Sequence, residues 1–217
     1  MSAAELIATQ RRLARQVITT DQLPTGIQTV AGVDAAFPRG GQTTRAAAVL
    51  MSYPDLALLD QAAAELPTVL PYIPGLLSFR ELPAVVAALS GLGSTPDLVL
   101  CDGQGFAHPR RFGIACHLGV ETGLSTIGVG KSRLCGTAEI PEQTRGSRTA
   151  LIDKEERIGT VLRTRTGVQP VYVSVGHRVS LGRAEQLVLD CAPRYRLPEP
   201  IRRADALAGH RAKAIRR

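Results

Sequence analysis

The apolar positions change period several times along the chain, and each change marks an expected element. Residues 3–18 set Leu6, Ala14 and Val17 on one helical face and Glu5, Gln10, Arg11 and Arg15 on the other, which predicts an amphipathic helix. A break at Asp21, Pro24 and Gly26 follows. Three strand-like stretches come next, at 27–37, 44–53 and 56–66, separated by Pro-Arg-Gly-Gly and Tyr-Pro-Asp connections of the hairpin kind. Ala, Leu and Glu in the third stretch are helix formers. The tight turn just before it favours a strand, which completes a three-stranded meander.

Pro71 and Pro74 bracket a Tyr-Ile pair, and a helix is predicted over 78–90. Ser78 stands three residues before Glu81, the spacing of a capping box, and Pro83 would distort the first turns or mark a later start. An apolar run ending at Asp102 and Gly103 predicts a buried strand. Residues 109–121 lean helical despite Gly113 and Gly119, and 125–130 form another short buried strand. Residues 137–169 suit a loop plus hairpin, 171–175 a strand, 181–192 a helix capped by Ser180, and 201–217 a last helix. The order predicts an α/β fold in a single domain over 1–217, a mixed sheet with helices on its faces.

Charge narrows the partners. The net charge is +7, and residues 202–217 hold six Lys/Arg against one Asp. Such a basic tail, from about residue 206, suits a polyanion, a membrane surface or an acidic protein, or simply aids solubility. No apolar run reaches membrane-spanning length and no signal peptide is evident, so a cytoplasmic protein without a membrane partner is expected. Cys101, Cys116, Cys135 and Cys191 form no CxxC pair and sit in largely apolar settings, which predicts buried free thiols in a reducing compartment.

The chemistry gathers at strand ends. Asp34 lies in the apolar segment VAGVDAAF, where a carboxylate is costly unless paired or bound to metal. Asp102 ends its strand, where ligands collect in α/β folds. Either could be a locally bonded aspartate; two together suit a hard cation such as Mg²⁺. Glu81 could add a third carboxylate, or serve only the capping box. His108 could orient a phosphate or water, or transfer a proton. Arg110 and Arg111 read as phosphate contacts or solvated charges. Lys131, after the strand at 125–130, could meet negative charge at a reacting phosphate or be an ordinary exposed strand-end residue. Ser125 stands where a phosphate-binding GxxxxGK[ST] loop needs its first glycine, so nucleoside triphosphate binding is rejected. No Cys/His pattern supports zinc and no GxSxG supports a serine hydrolase. His117 reads as structural, and His177 lies between a strand and a helix.

Several longer segments then point one way. GVDAAF around Asp34, PYIPGLLSFRE at 71–81, DGQGFAHPRRFGIACHLGV at 102–120, STIGVGKSRLCG at 125–136, VYVSVGHRVSL at 171–181 and YRLPEPIRRAD ending at Asp205 resemble the endonuclease V family. The resemblance implies a ribonuclease-H-like fold whose first three strands are antiparallel. It implies a magnesium-dependent endonuclease, with Mn²⁺ as a substitute, that hydrolyses the second phosphodiester 3′ to deoxyinosine in damaged DNA and leaves 3′-hydroxyl and 5′-phosphate ends. Metal-binding acids fall on Asp34 and Asp102, further active-site groups on Glu81, His108 and Lys131, and an additional acid on Asp205. Tyr72 matches a wedge beside the lesion; Gly75, Leu77, Gly103, Gly113 and Ile114 match the pocket for the extruded base. Phe37 and the SVGH segment depart from the family's Tyr and SPGH. A monomer is expected. Inosine-containing RNA is an alternative substrate, and a non-catalytic nucleic-acid-binding module is the alternative of another class.

Overall fold

The computed structural model describes residues 2–209; the basic run from 210 to 217 lies outside them. Helix α1 spans Ala3–Ala14 and is closed by a capping box between Ser2 and Glu5. The helix stops four residues short of the expected 18. Leu6 and Gln10 are its buried residues, so Gln10 belongs to the packed face rather than the solvent face.

The expected meander is present. Strands β1 (Thr29–Ala36), β2 (Thr43–Ser52) and β3 (Leu58–Pro67) pair antiparallel in sequence order. Helix α2 (Leu77–Ser90) leads to β4 (Leu98–Asp102), helix α3 (Ile114–Thr122) to β5 (Thr126–Gly130). Both β4 and β5 add in parallel, as their helical crossovers require. The hairpin of β6 (Arg148–Asp153) and β7 (Glu156–Leu162) precedes β8 (Val171–His177), which returns antiparallel to β5. Helices α4 (Leu181–Asp190) and α5 (Glu199–Gly209) close the chain. The result is one eight-stranded sheet in the order β3-β2-β1-β4-β5-β8-β7-β6, a ribonuclease-H-like α/β arrangement.

Side-chain alternation divides the core into two layers. Ala31, Val33, Val99 and Cys101 pack with Leu82, Val85 and Ala88 of α2 and Leu118 of α3. Val30, Leu98, Leu100, Ile127 and Val173 pack with Leu187 and Val188 of α4 and Ile201 and Ala204 of α5. Ser180 caps α4 by accepting from the Arg183 N–H, as expected.

Two local expectations for α2 fail. Ser78 makes no cap; its Oγ instead bonds His117 Nδ1 on α3 at 3.1 Å. A partner distant in sequence took the hydroxyl that the local spacing assigned to the helix end. Pro83 interrupts nothing, because α2 starts at Leu77 and continues through it. Cys101, Cys116 and Cys191 are buried free thiols, and Cys135 is half-buried. Burial pushes the Cys191 thiol up to about 12. Among the described residues no helix is long and apolar enough to cross a membrane.

Candidate active site

The alternation that builds the core also builds the site. Val30 and Leu98 face α5, and in β1 and β4 every second residue shares that face. Asp34 and Asp102 therefore point to the α5 side, one position beyond the last paired residues, Val33 and Cys101. Neighbouring parallel strands thus deliver two carboxylates side by side at their carboxyl ends.

Gly32 brings the third. A Cβ there would lie 2.1 Å from the Pro200 carbonyl carbon and 2.5 Å from the Ile201 nitrogen. The bare glycine lets the start of α5 lie directly on β1. Ile201, Ala204 and Ala208 then bury one stripe of α5, and Asp205 emerges beside the strand ends. One carboxylate oxygen from each of Asp34, Asp102 and Asp205 lies within 4.8 Å of the others.

Among the described residues, one cation touches these acids. Lys131 Nζ, just past β5, is 2.6 Å from Asp102 Oδ2 and 3.0 Å from Asp205 Oδ1. Burial opposes the Lys131 charge, but the two carboxylates outweigh it and hold the ammonium above its ordinary pKa. The contact to Asp102 is the closer of the two, and the Asp102 oxygen that makes it is buried. Among the described residues Lys131 is the one cation in direct contact with the three carboxylates, which leaves the cluster short of positive charge. Burial, then the Asp102 charge, pushes Asp34 up to about 7. Burial, then Asp34 and Asp102, pushes Glu81 up to about 8. Asp102 is also raised, chiefly by burial, with Lys131 working the other way. A divalent cation fits this arrangement on two counts: clustered oxygen donors and a shortage of positive charge among the described residues.

A cavity of about 260 Å³ adjoins the acids. Gly75, Leu77, Gly103, Gly113 and Ile114, the residues expected to receive a base, all line it. Tyr72, 65 % exposed, stands at its edge. Glu81, Asp102, His108 and Lys131 also line it, whereas Asp34 and Asp205 do not. Sequence reasoning missed Ser78, Gln104, Gly130 and the segment Ser132–Leu134 in this wall. The signal for Ser132–Leu134 was its place immediately after Lys131.

His108 is buried and hydrogen-bonded. Burial, then the nearby Arg110 charge, pushes it down to about 4, so it is neutral at neutral pH. Its Nδ1 accepts from the Arg110 N–H at 3.1 Å, which places its own proton on Nε2. Both arginines expected at phosphate carry protein partners. Arg110 donates to the Gly75 carbonyl and to Gln10. Arg111 pairs with Asp153 at 2.8 Å and Glu156 at 2.7 Å. His117 packs against Phe79 and Phe112 and is structural, as expected. Phe37 lies under the Arg80 guanidinium, 4.0 Å from its ring centre.

A mixed sheet that begins with three antiparallel strands and carries acids at the ends of β1 and β4 defines a metal-dependent hydrolase of the ribonuclease-H-like class. Comparison with known proteins narrows the class. The family model for endonuclease V matches residues 11–206. Endonuclease V of Nostoc punctiforme is 54% identical over 204 residues, covering 94% of this chain and 92% of that protein. The crystal structure of endonuclease V from Streptomyces avermitilis superposes with a TM-score of 0.91 at 46% identity, covering 95% of this chain and 91% of the other. That of Ciona intestinalis endonuclease V, in complex with a 24mer DNA containing an inosine followed by a ribo-adenosine, gives 0.83 at 29% identity, covering 94% and 95%. The chain belongs to the endonuclease V family.

Proposed function

We propose that this protein is a magnesium-dependent endonuclease that recognises deoxyinosine in DNA and hydrolyses the second phosphodiester on its 3′ side. The observation that carries this reading is the shared wall: Asp102 belongs both to the acidic cluster and to the lining of the base-sized cavity. Asp34 and Asp205 stand outside the cavity, so the hydrolytic centre lies next to the base site rather than within it. That separation suits an enzyme that reads one nucleotide and cuts at a neighbour. The complex of the Ciona relative with inosine-containing DNA supports the choice of base.

Asp34, Asp102 and Asp205 would hold Mg²⁺, or Mn²⁺ in its place. When bound, such an ion supplies a Lewis acid and lowers the pKa of water. In the overall reaction, water oxygen bonds to phosphorus, the bond from phosphorus to O3′ breaks, and O3′ leaves and gains a proton. The products carry 3′-hydroxyl and 5′-phosphate ends. Lys131 offsets the negative charge that builds on the phosphate. Glu81, buried at the cleft wall, is the side chain best placed to hold or release a proton. His108 stays neutral and orients the loop at Gly75. Tyr72 occupies the space left in the stack when the base turns out, a step that costs least at a weak pair. The described chain acts as one catalytic domain, since both helical layers and the central strands contribute to the site.

End-labelled duplexes carrying deoxyinosine, uracil, an abasic site or a mismatch test the reading, incubated with Mg²⁺ or with chelator. The expected result is cutting of the deoxyinosine strand alone, lost in chelator. Equal cutting in chelator, or an intact deoxyinosine strand, contradicts it. A further duplex with a ribonucleotide 3′ to inosine tests the second substrate, which the ribo-adenosine in the Ciona complex favours.

A further inference from the structure

Gln10 is a fully buried amide on a helix whose charged residues, Glu5, Arg11 and Arg12, are exposed. It lies one residue before the segment that matches the family model. Its Nε2 donates to the Phe112 carbonyl at 2.7 Å and to the Gly75 carbonyl at 3.1 Å. Its Oε1 accepts from Arg110 Nε, and Arg110 donates from its own far nitrogen to the same Gly75 carbonyl at 2.7 Å. His108 joins the network by accepting from the Arg110 N–H.

Gln10 and Arg110 both meet the Gly75 carbonyl. Gly75 has φ 76°, a conformation that side chains resist, and it ends the segment that begins with Tyr72. Gly75, Gly113 and Ile114 all line the cavity, and Phe112 sits immediately before the last two. Gln10 therefore ties two walls of the cavity, 102 residues apart from Phe112 and 65 from Gly75 in sequence, to one amide on α1.

We propose that Gln10 is a positioning residue for lesion recognition: with Arg110 it holds the Tyr72–Gly75 segment against the Phe112–Ile114 wall and so sets the width of the base site. This rests on the cavity being the base site. The assignment also gives Arg110 an internal task in place of a phosphate contact. The acidic cluster is not part of the network, so the network governs binding and selection of the lesion and leaves metal use alone.

The test compares wild type, Gln10→Leu, Arg110→Met and the double variant on deoxyinosine and undamaged duplexes. Each single variant is expected to raise KM for the deoxyinosine duplex about tenfold, with kcat and half-saturating Mg²⁺ little changed. The double variant should fall short of the product of the two single effects, because both residues hold the Gly75 carbonyl. The salt dependence of binding should keep its slope in Arg110→Met, whereas loss of a phosphate contact lowers it by about one unit. Gln10→Glu, which keeps the acceptor for Arg110, covers the case in which Gln10→Leu does not fold, and should also raise KM. Unchanged KM and discrimination in a folded Gln10 variant overturn the inference, as do additive effects or a reduced salt slope. If wild type itself leaves the deoxyinosine strand intact, the functional reading fails instead, so the two failures are distinguishable.

Discussion

Two acidic sites lie on this sheet, one buried glutamate and one cluster of three aspartates at strand ends, and they are built on opposite rules. On the β6–β7 side, Glu185 of α4 is nearly inaccessible, yet Arg148 reaches it at 3.1 Å, Arg157 at 2.8 Å, and Thr160 donates a further hydrogen bond. One negative charge meets two cations and a hydroxyl. At the β1–β4 ends, Asp34, Asp102 and Asp205 lie together, and among the described residues only Lys131 forms ion pairs there, with Asp102 and Asp205. The first site is saturated and holds α4 to the sheet. The second is left short of positive charge, with the pKa values of Asp34 and Glu81 raised toward or above neutrality. Burial of an acid therefore does not by itself mark a functional site. The balance of charge around it separates the two sites, since acids gathered without counter-charge repel one another.

The contrast yields opposite responses to substitution. Asp102→Asn should lower cleavage of the deoxyinosine duplex on the order of a thousandfold or more, while the melting temperature of the metal-free protein holds or rises, since one of several repelling charges is gone. Glu185→Ala should do the reverse. Its two arginines are half exposed and can return to water, so the expected loss is about 2–3 kcal/mol, or roughly 5–10 °C in Tm, with the rate per folded molecule unchanged. Calorimetric melting and single-turnover cleavage on the same preparations separate the two. A stability loss at Asp102 with normal cleavage would abolish the distinction.

Gly32→Ala joins the two kinds of effect. The added methyl meets the backbone at Pro200, which can yield only if α5 shifts. A loss of about 1–3 kcal/mol is expected, together with weaker Mg²⁺ dependence as Asp205 moves away. Normal half-saturating Mg²⁺ would show that Asp205 is not held in place by this contact.

The smallest effect is the response to pH. Asp34 and Glu81 have raised folded pKa values, about 7 and about 8. Their contribution to stability is thus complete below their unfolded values near 4 and is lost as pH climbs through 7 to 8. A cation that neutralises the cluster restores stability at the upper end of this window. Added Mg²⁺ should raise Tm by more at pH 8 than at pH 5.5, and the difference should persist in Glu185→Gln but shrink in Asp34→Asn. An equal rise at both pH values contradicts the electrostatic account.

Much of this was legible in the chain because the signals were local. Alternation and tight turns gave the β1–β3 meander, and strand-end acids pointed to Asp34 and Asp102. What was hidden depended on partners far away in sequence. Ser78 looked like a helix cap until His117 claimed its hydroxyl. Gln10 looked like a solvent-facing residue because nothing nearby announces the carbonyls of Gly75 and Phe112. Asp205 came only from family resemblance; the reason it reaches the site is Gly32, a strand glycine whose meaning appears once α5 is seen lying on it. Glu185 lies in the helix expected over 181–192, and its counter-charges lie on a hairpin that the mixed composition of 137–169 only outlined.

The most direct test is calorimetric titration of Mn²⁺ into the metal-free wild type and the Asp34→Asn, Asp102→Asn, Asp205→Asn and Glu185→Gln variants. Binding should be lost or sharply weakened in the three aspartate variants and retained in Glu185→Gln. Undiminished binding in the aspartate variants, or its loss in Glu185→Gln, would contradict the claim that the undercompensated cluster at the ends of β1 and β4 is the metal centre.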